Sequence, residues 1–485
     1  MIKKILIYLT LLTPLTVFAQ NDAPVSKKFY KGASAVPKVL ILNDQVNIIG
    51  VQAGKKNADV MAVNDHMETL WTTPLTGAEI TIEKFKDKIV AITTDDEAKD
   101  VAITTAFILD PKTGKVLLEK KILETKKDYL TEKQIFNGDG KYLKISLRET
   151  GFKNTLHIGT VFSNPYKTMN ETRDISVIEC DDQLNPKQYK LDLRDGTLEN
   201  ITADINGNFI LSWINQNHLE IVKYGAGSNT AIASIKTDLP YEANKNYDPF
   251  HSLYFISSTA NANMMYAAAI FSNADNKTEL SIGKFDFATG KTNFTEEIFT
   301  SDHLKSLVKA FVPINKKMDA PQFDSKKSLG IRYFKEAGNT LVASVSARTT
   351  EPSSISSGAW MLESSFLLNI YDADINLKTQ QFLPVSYSVP EITLPTEYHY
   401  NDGKLYVIGN DKTGGMSLKA VYGVLNLQSG QWEKLDWLSK KNLGGGDPVL
   451  SNSTMWFKNS FISPYANLKI LADAKKDIDL QLNTL

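Results

Sequence analysis

Short apolar runs alternate along the chain with polar clusters rich in Gly, Asn and Asp, and within the runs apolar and polar positions tend to alternate with the period of a strand. Two phrases recur. The first is strand, tight turn, strand: Phe107-Ile-Leu-Asp-Pro-Lys-Thr-Gly-Lys-Val-Leu-Leu118, Ile282-Gly-Lys-Phe-Asp-Phe-Ala-Thr-Gly-Lys-Thr-Asn-Phe294 and Tyr422-Gly-Val-Leu-Asn-Leu-Gln-Ser-Gly-Gln-Trp432. In each, a Thr-Gly or Ser-Gly pair closes a hairpin, because Gly supplies the positive φ that the turn needs. Looser copies run from Val60 to Trp71, Ile175 to Leu193 and Leu368 to Leu377. The second phrase is a polar Gly-containing turn leading into a strand. Its copies include Asn137-Gly-Asp-Gly-Lys-Tyr-Leu-Lys-Ile-Ser146, Asp204-Ile-Asn-Gly-Asn-Phe-Ile-Leu-Ser212, Glu336-Ala-Gly-Asn-Thr-Leu-Val-Ala-Ser344 and Asn401-Asp-Gly-Lys-Leu-Tyr-Val-Ile-Gly409.

Pairing the two phrases gives units near 38–77, 82–122, 134–193, 198–237, 250–299, 331–385 and 396–438. Each is long enough for a four-stranded antiparallel sheet, and such units in series make a β-propeller. The fold class expected is therefore all-β, a propeller of seven blades, with six or eight as the neighbouring counts. Met455 to Pro464 reads as a further short strand pair that completes a blade or closes the ring against the N-terminal strand. The alternative is two β-sandwich domains, which would not readily explain one unit recurring along the whole chain.

The turns carry a resemblance. Asp204-Ile-Asn-Gly-Asn-Phe-Ile-Leu resembles the Asp-x-x-Gly-Asn turn of NHL-like propellers, and Asn401-Asp-Gly-Lys-Leu-Tyr-Val-Ile-Gly resembles the turn-to-strand phrase of kelch and quinoprotein-type propellers. The likeness covers most of the chain at the level of turns and spacing. It lacks a Trp-Asp ending per blade, a regular Gly-Gly pair per blade and a recurring tryptophan docking motif. It implies a fold, an exported propeller of uncharacterised function, and no activity.

The N-terminus departs from the pattern. Lys3 and Lys4 precede an apolar run from Ile5 to Phe18, and Val17-Phe18-Ala19 has the small residues of a cleavage site. Residues 1–19 read as a secretory signal peptide, leaving 20–485 as one domain. No cysteine follows the run, so a lipoprotein anchor is not expected, and no other stretch is long enough for a transmembrane segment in the mature chain. The expected compartment is periplasmic or extracellular. An uncleaved N-terminal anchor is the other reading.

Charge narrows the partners. The chain of 485 residues has 54 Lys+Arg against 55 Asp+Glu, too balanced for a nucleic-acid binder. At 42% hydrophobic it is no disordered chain. Its one cysteine, Cys180, rules out an internal disulfide framework and lies in an apolar run, where a buried strand thiol is expected.

Two stretches break the strand rhythm. From about 300 to 330, Leu304, Leu307, Val308 and Phe311 fall at helical spacing, with Ser301 as the cap and Pro313 as the stop. This helical insertion either packs on the propeller edge or docks a partner through Leu304, Leu307 and Phe311. The Ser-rich stretch Thr349 to Trp360 ends in a tryptophan that either begins a strand or stacks on a ligand. Tyr398, His399 and Tyr400 form a further candidate cluster, and Tyr241 and Tyr247 occupy similar connections.

Catalytic chemistry is thin. None of the six histidines (His66, His157, His218, His251, His303, His399) is two to four residues from another, so no local metal pair exists, and neither a metal nor a cofactor is expected. There is no nucleophile elbow, phosphate-binding loop or dinucleotide fingerprint. The acidic clusters at Asp95-Asp96-Glu97 and Asp181-Asp182 read as solvated turns, because adjacent strand residues point to opposite faces. Asp204-x-Asn206-Gly207-Asn208 offers oxygen ligands but lacks the downstream glutamate of a calcium loop. The function expected is an exported, non-catalytic scaffold that binds a protein or glycan of the cell envelope. The alternative is a propeller hydrolase or lyase acting on polysaccharide. Acidic and aromatic side chains converging on the central channel would favour that alternative. An apolar channel with 301–330 projecting outward would favour the scaffold.

Overall fold

The turns form as their residues dictate. In the Thr-Gly and Ser-Gly hairpins, Gly114, Gly290 and Gly430 adopt φ of 70°, 69° and 67°. The Asp or Asn four residues earlier accepts a backbone N–H two residues on, from Lys112 at 2.9 Å, Ala288 at 2.8 Å and Gln428 at 3.0 Å. A second turn shares one wiring at Asp181, Asp204 and Asp372. Each carboxylate accepts the N–H groups two and four residues on, and the Asn four residues on returns its amide to the same carboxylate. The Asp204 turn that offered oxygen ligands thus spends them on its own backbone, the Asn208 amide and Lys223.

In the computed structural model, the residues described are 26–95, 101–126, 131–152, 170–241, 253–272, 277–311, 318, 321, 323, 328–352, 359–389, 396–412, 418–438, 448–466 and 476–485. They form eight four-stranded antiparallel sheets. Blades 1 to 7 are consecutive meanders spanning 38–76, 79–126, 131–190, 197–238, 253–299, 328–389 and 397–437. These correspond to the seven units of the sequence pattern. Blade 8 joins the two ends of the chain: Met455–Trp456, Ser460–Ala466 and Lys476–Thr484 are completed by Ser26–Ala33, with Ser26 opposite Gln481. The protein is therefore an eight-bladed β-propeller, and the seven-blade expectation is corrected. A unit split between both termini cannot recur as one phrase.

The ring closes because strand side chains alternate between two neighbours. In the third strand of blade 2, Val101–Leu109, Phe107 and Leu109 join the apolar cluster with blade 1, while Ala106 and Ile108 join the cluster with blade 3. A buried apolar cluster fills every one of the eight seams, from blades 1 and 2 round to blades 8 and 1. Each sheet thus packs on two others, which removes the two-sandwich alternative. Polar bolts cross the same seams. Trp71 Nε1 donates to Pro111 O at 3.1 Å, Lys144 Nζ to Gly207 O at 2.7 Å, Lys223 Nζ to Ala262 O at 2.7 Å and Trp432 Nε1 to Phe382 O at 3.0 Å. Cys180 is buried in the seam between blades 2 and 3, where burial pushes its thiol up to about 11.

First strands of neighbouring blades lie against one another, Lys38–Ile41 on Glu79–Phe85 and Thr197–Ala203 on Leu253–Ser257, and so surround the axis. The meander puts the turns between strands one and two, and between three and four, on one face. The other strand ends, and with them the start of the 300–330 insertion, lie at the opposite face. The helix of the insertion, α1, runs Ser301–Ala310, and Thr300 rather than Ser301 is the cap: its hydroxyl accepts the His303 N–H at 3.1 Å. Ser301 is already the first helical residue, one position too late to bond that N–H. Among the described residues no helix is long and apolar enough to cross a membrane.

Candidate functional site

The turns that lead into second strands converge on the tight-turn face. At the channel mouth, the turns of blades 3, 4 and 5 and the first strand of blade 2 enclose a cavity of about 260 Å³ lined by Glu83, Phe136, Asn137, Tyr142, Asp204 and Thr259 among others. A second cavity of about 260 Å³ lies between blades 5 and 6, with Tyr266, Lys284, Glu336 and Gly338 in its wall. Ser258 lines both, so the two cavities adjoin on this face and are taken together as one groove. Its backbone is fixed locally: Ser258 Oγ accepts from Asn261 N at 3.1 Å, and Glu336 Oε2 accepts from Thr259 N at 2.5 Å and from Thr259 Oγ1 at 2.8 Å. Lys284 Nζ holds the far end through Asp374 Oδ1 at 2.7 Å and Ala373 O at 2.8 Å.

Charge in the groove is uneven. Asp204 is fully buried and paired with Lys223 at 2.6 Å. Glu336 is tied to Thr259 and Lys284 to Asp374. Glu83 is mostly buried, receives the Asn137 side-chain amide, and has no cationic partner among the described residues. Burial pushes its carboxyl from 4.5 up to about 7, and no neighbouring charge contributes to that shift. The hydroxyls of Tyr142 and Tyr266 are pushed up to about 12, chiefly by burial, and remain donors at neutral pH. A larger cavity, about 600 Å³, opens between blades 8 and 1 and is lined by Asn43, Asp44, Asp65 and Lys458 among others. Asn43 accepts Val46 N at 3.0 Å within its own turn and Asp65 pairs with the neighbouring His66 at 2.7 Å. No buried ionisable group enters it, which is why the smaller groove is the stronger candidate.

The residues singled out by the pattern separate. Tyr400 stands on the tight-turn face, 37% exposed, and its hydroxyl would lie 2.3 Å from a Cβ at Gly338, a wall residue of the groove. Tyr398 is buried between blades 6 and 7, bonded to Ser344 Oγ at 2.8 Å. His399 stacks on Trp456 with centroids 4.7 Å apart and planes 9° apart, and burial pulls its imidazole down to about 4. Leu304 is buried in the seam between blades 5 and 6, with Leu307 and Phe311 packed against it. The helix therefore packs inward, on the face opposite the groove. The side chain of Trp360 lies outside what the structure describes, although its backbone pairs with Glu351. Tyr247, His157, His251, Asp96 and Glu97 also lie outside the described residues. Asp181 caps its own turn and Asp182 pairs with Lys86.

Sequence reasoning missed Glu83, Thr259 and Lys284 as site residues. Asn137 and Glu336 stood inside recurring turn phrases, and their common signal was the phrase itself, which marks one end of each blade. It missed also a buried cluster in blade 6, where Glu363 accepts from Arg332, from Arg348 at 3.2 Å and from Ser346. Among the described residues, no group of three or more His, Cys, Asp or Glu could hold a metal.

No family model and no curated protein matches the chain. Among solved structures it is similar to the WD40 domain of SCAP from fission yeast, at 9% identity over 93% of this chain and 98% of that one, with a TM-score of 0.39. It is similar also to the β-propeller domain of the Trilobed protease from Pyrococcus furiosus, at 11% identity over 84% and 100%, with a TM-score of 0.38. A quinonprotein alcohol dehydrogenase-like protein from Bacteroides thetaiotaomicron matches at 14% identity over 75% and 70%, with a TM-score of 0.34. The fold assignment rests on the eight closed sheets, not on these scores.

Proposed function

We propose that the chain is an exported, non-catalytic binding propeller that presents its tight-turn face to a protein or glycan partner in the cell envelope. The carrying observation is the groove through Ser258, a concave site with convergent polar groups. Glycoside hydrolysis needs two carboxyl groups working across one bond. Of the other carboxylates in the same cavity wall, Asp204 is committed to Lys223 and its own turn, and neither it nor Asp139 contributes to the shift of Glu83. The leader-like N-terminus supports export.

The test is affinity purification of the full chain from envelope extracts, with the parent and a Thr259→Trp variant compared. Thr259 is exposed between the two cavities, so the indole should block the groove without disturbing a core. Loss of the captured partner from the variant is expected. Equal capture by both would place binding elsewhere. One observation favours the hydrolase or lyase reading: a carboxyl near 7 is matched to acid–base work at neutral pH. Depolymerisation of an envelope polysaccharide by the parent, abolished in Glu83→Gln, would establish that reading instead.

A further inference from the structure

We propose that the channel-mouth cavity is a seat for an alkylammonium or guanidinium group, with Glu83 as its counter-ion. The inference rests on reading the tight-turn face as a binding face, and it names the chemistry that face recognises.

Three observations converge. The first is the missing charge. A desolvated carboxylate is stable only when paired or hydrogen-bonded on its open oxygens. Two other buried or half-buried carboxylates meet that condition: Asp204 with Lys223 at 2.6 Å, and Glu179 with Lys144 at 2.5 Å. Glu83 has the Asn137 amide and no cation among the described residues. The second is the cavity beside it, about 260 Å³, just below the range usual for whole small-molecule ligands and suited to one side-chain-sized group. The third is the wall. Ser257 and Thr259 bring hydroxyls and Phe136 a ring, so an ammonium has acceptors for its remaining protons and a π face beside its stem. A neutral hydroxyl ligand would leave the carboxylate uncompensated. An anion would be repelled.

The ligand group can belong to a basic side chain of a polypeptide or to a free amine, and one titration separates them. The purified full chain is titrated calorimetrically with n-butylammonium, agmatine, n-butanol and the blocked peptide acetyl-Gly-Lys-Gly-amide. Butylammonium and agmatine should bind and butanol should not. Glu83→Gln should weaken amine binding about tenfold or more, as expected when a charge-assisted contact becomes a neutral one. If the peptide binds markedly tighter than butylammonium, the source is a polypeptide side chain; equal affinities indicate a free amine. Butanol binding as well as butylammonium, or Glu83→Gln binding as well as the parent, overturns the proposal. Should Glu83→Gln not fold, the Asn137 side-chain amide resonance of the ¹⁵N-asparagine-labelled parent decides the matter, since that amide contacts Glu83: it must shift with butylammonium and not with butanol, and a static resonance overturns the site. Amine binding that fails while envelope capture persists removes this site and leaves the binding reading standing.

Discussion

Glu83 sets a stability-versus-pH signature that can be worked through. Its carboxyl is pushed from 4.5 to about 7 by burial, although the Asn137 amide favours the ionised form. Between those values the folded chain holds a proton that the unfolded chain has released. Stability should therefore fall as pH rises through this window and be level below it. At about 1.4 kcal/mol per pH unit, the full cost of ionising Glu83 in the fold is about 3 kcal/mol by pH 8. Glu83→Gln imitates the protonated form and still accepts from Asn137, so it should be nearly neutral at pH 4 and more stable than the parent by about 3 kcal/mol at pH 8. Denaturant unfolding of both proteins at pH 4, 6 and 8 measures the gap. A gap that stays constant with pH, or a variant less stable than the parent at pH 8, would refute the claim that burial dominates this carboxyl. It would also remove the missing cation from the argument for an amine seat.

Other consequences follow from the seams. Asp204→Ala strands Lys223, whose side chain is 4% exposed, and opens the turn; a loss of about 3–5 kcal/mol is expected in denaturant unfolding, and Lys223→Met added to it should recover part of the loss. A loss below about 1 kcal/mol would mean that this ion pair does not hold the turn. His399→Phe keeps the stack on Trp456 but removes a group whose folded value is held near 4. The parent should lose stability as pH falls from 6.5 towards 4, because the unfolded imidazole takes up a proton that the buried one refuses; thermal melts of the variant should lack that part of the acid slope, and parallel melts would contradict it. Removing residues 26–33 exposes the edge of Lys476–Thr484 and the cluster holding Ile478 and Leu480. The truncated chain should aggregate or melt well below the parent, and an unchanged melt would show that the ring does not need its N-terminal strand.

What could be read from sequence and what could not divide along one physical line. Local chemistry was legible. Gly114, Gly290 and Gly430 mark hairpins because only a left-handed residue closes them, and each hairpin belongs to a blade. The alternation in Phe107-Ile108-Leu109 already states that two neighbours must exist, one for each side. Blade 8 was legible only in part: the strand pair at Met455 to Pro464 stood in the pattern, but its first strand is only Met455–Trp456 and its outer strand comes from the other end of the chain, so no eighth unit could be counted. The groove was illegible for the same reason on a smaller scale. Glu83 meets Asn137 across 54 positions and Thr259 meets Glu336 across 77, separations set by ring closure and invisible to any window. The candidates at Leu304, Tyr398 and His399 are aromatic or apolar side chains in polar surroundings along the chain. In a propeller, that pattern describes a seam as well as it describes a surface, since each blade buries both faces. Exposure, not residue type, separates Tyr400 from its neighbours, and exposure follows from where a first strand ends at the channel mouth. On the reading proposed above, a binding residue in this architecture is one that the alternation leaves over: a polar group near the end of a first strand, inside the ring and with no cationic partner among the described residues, as Glu83 is.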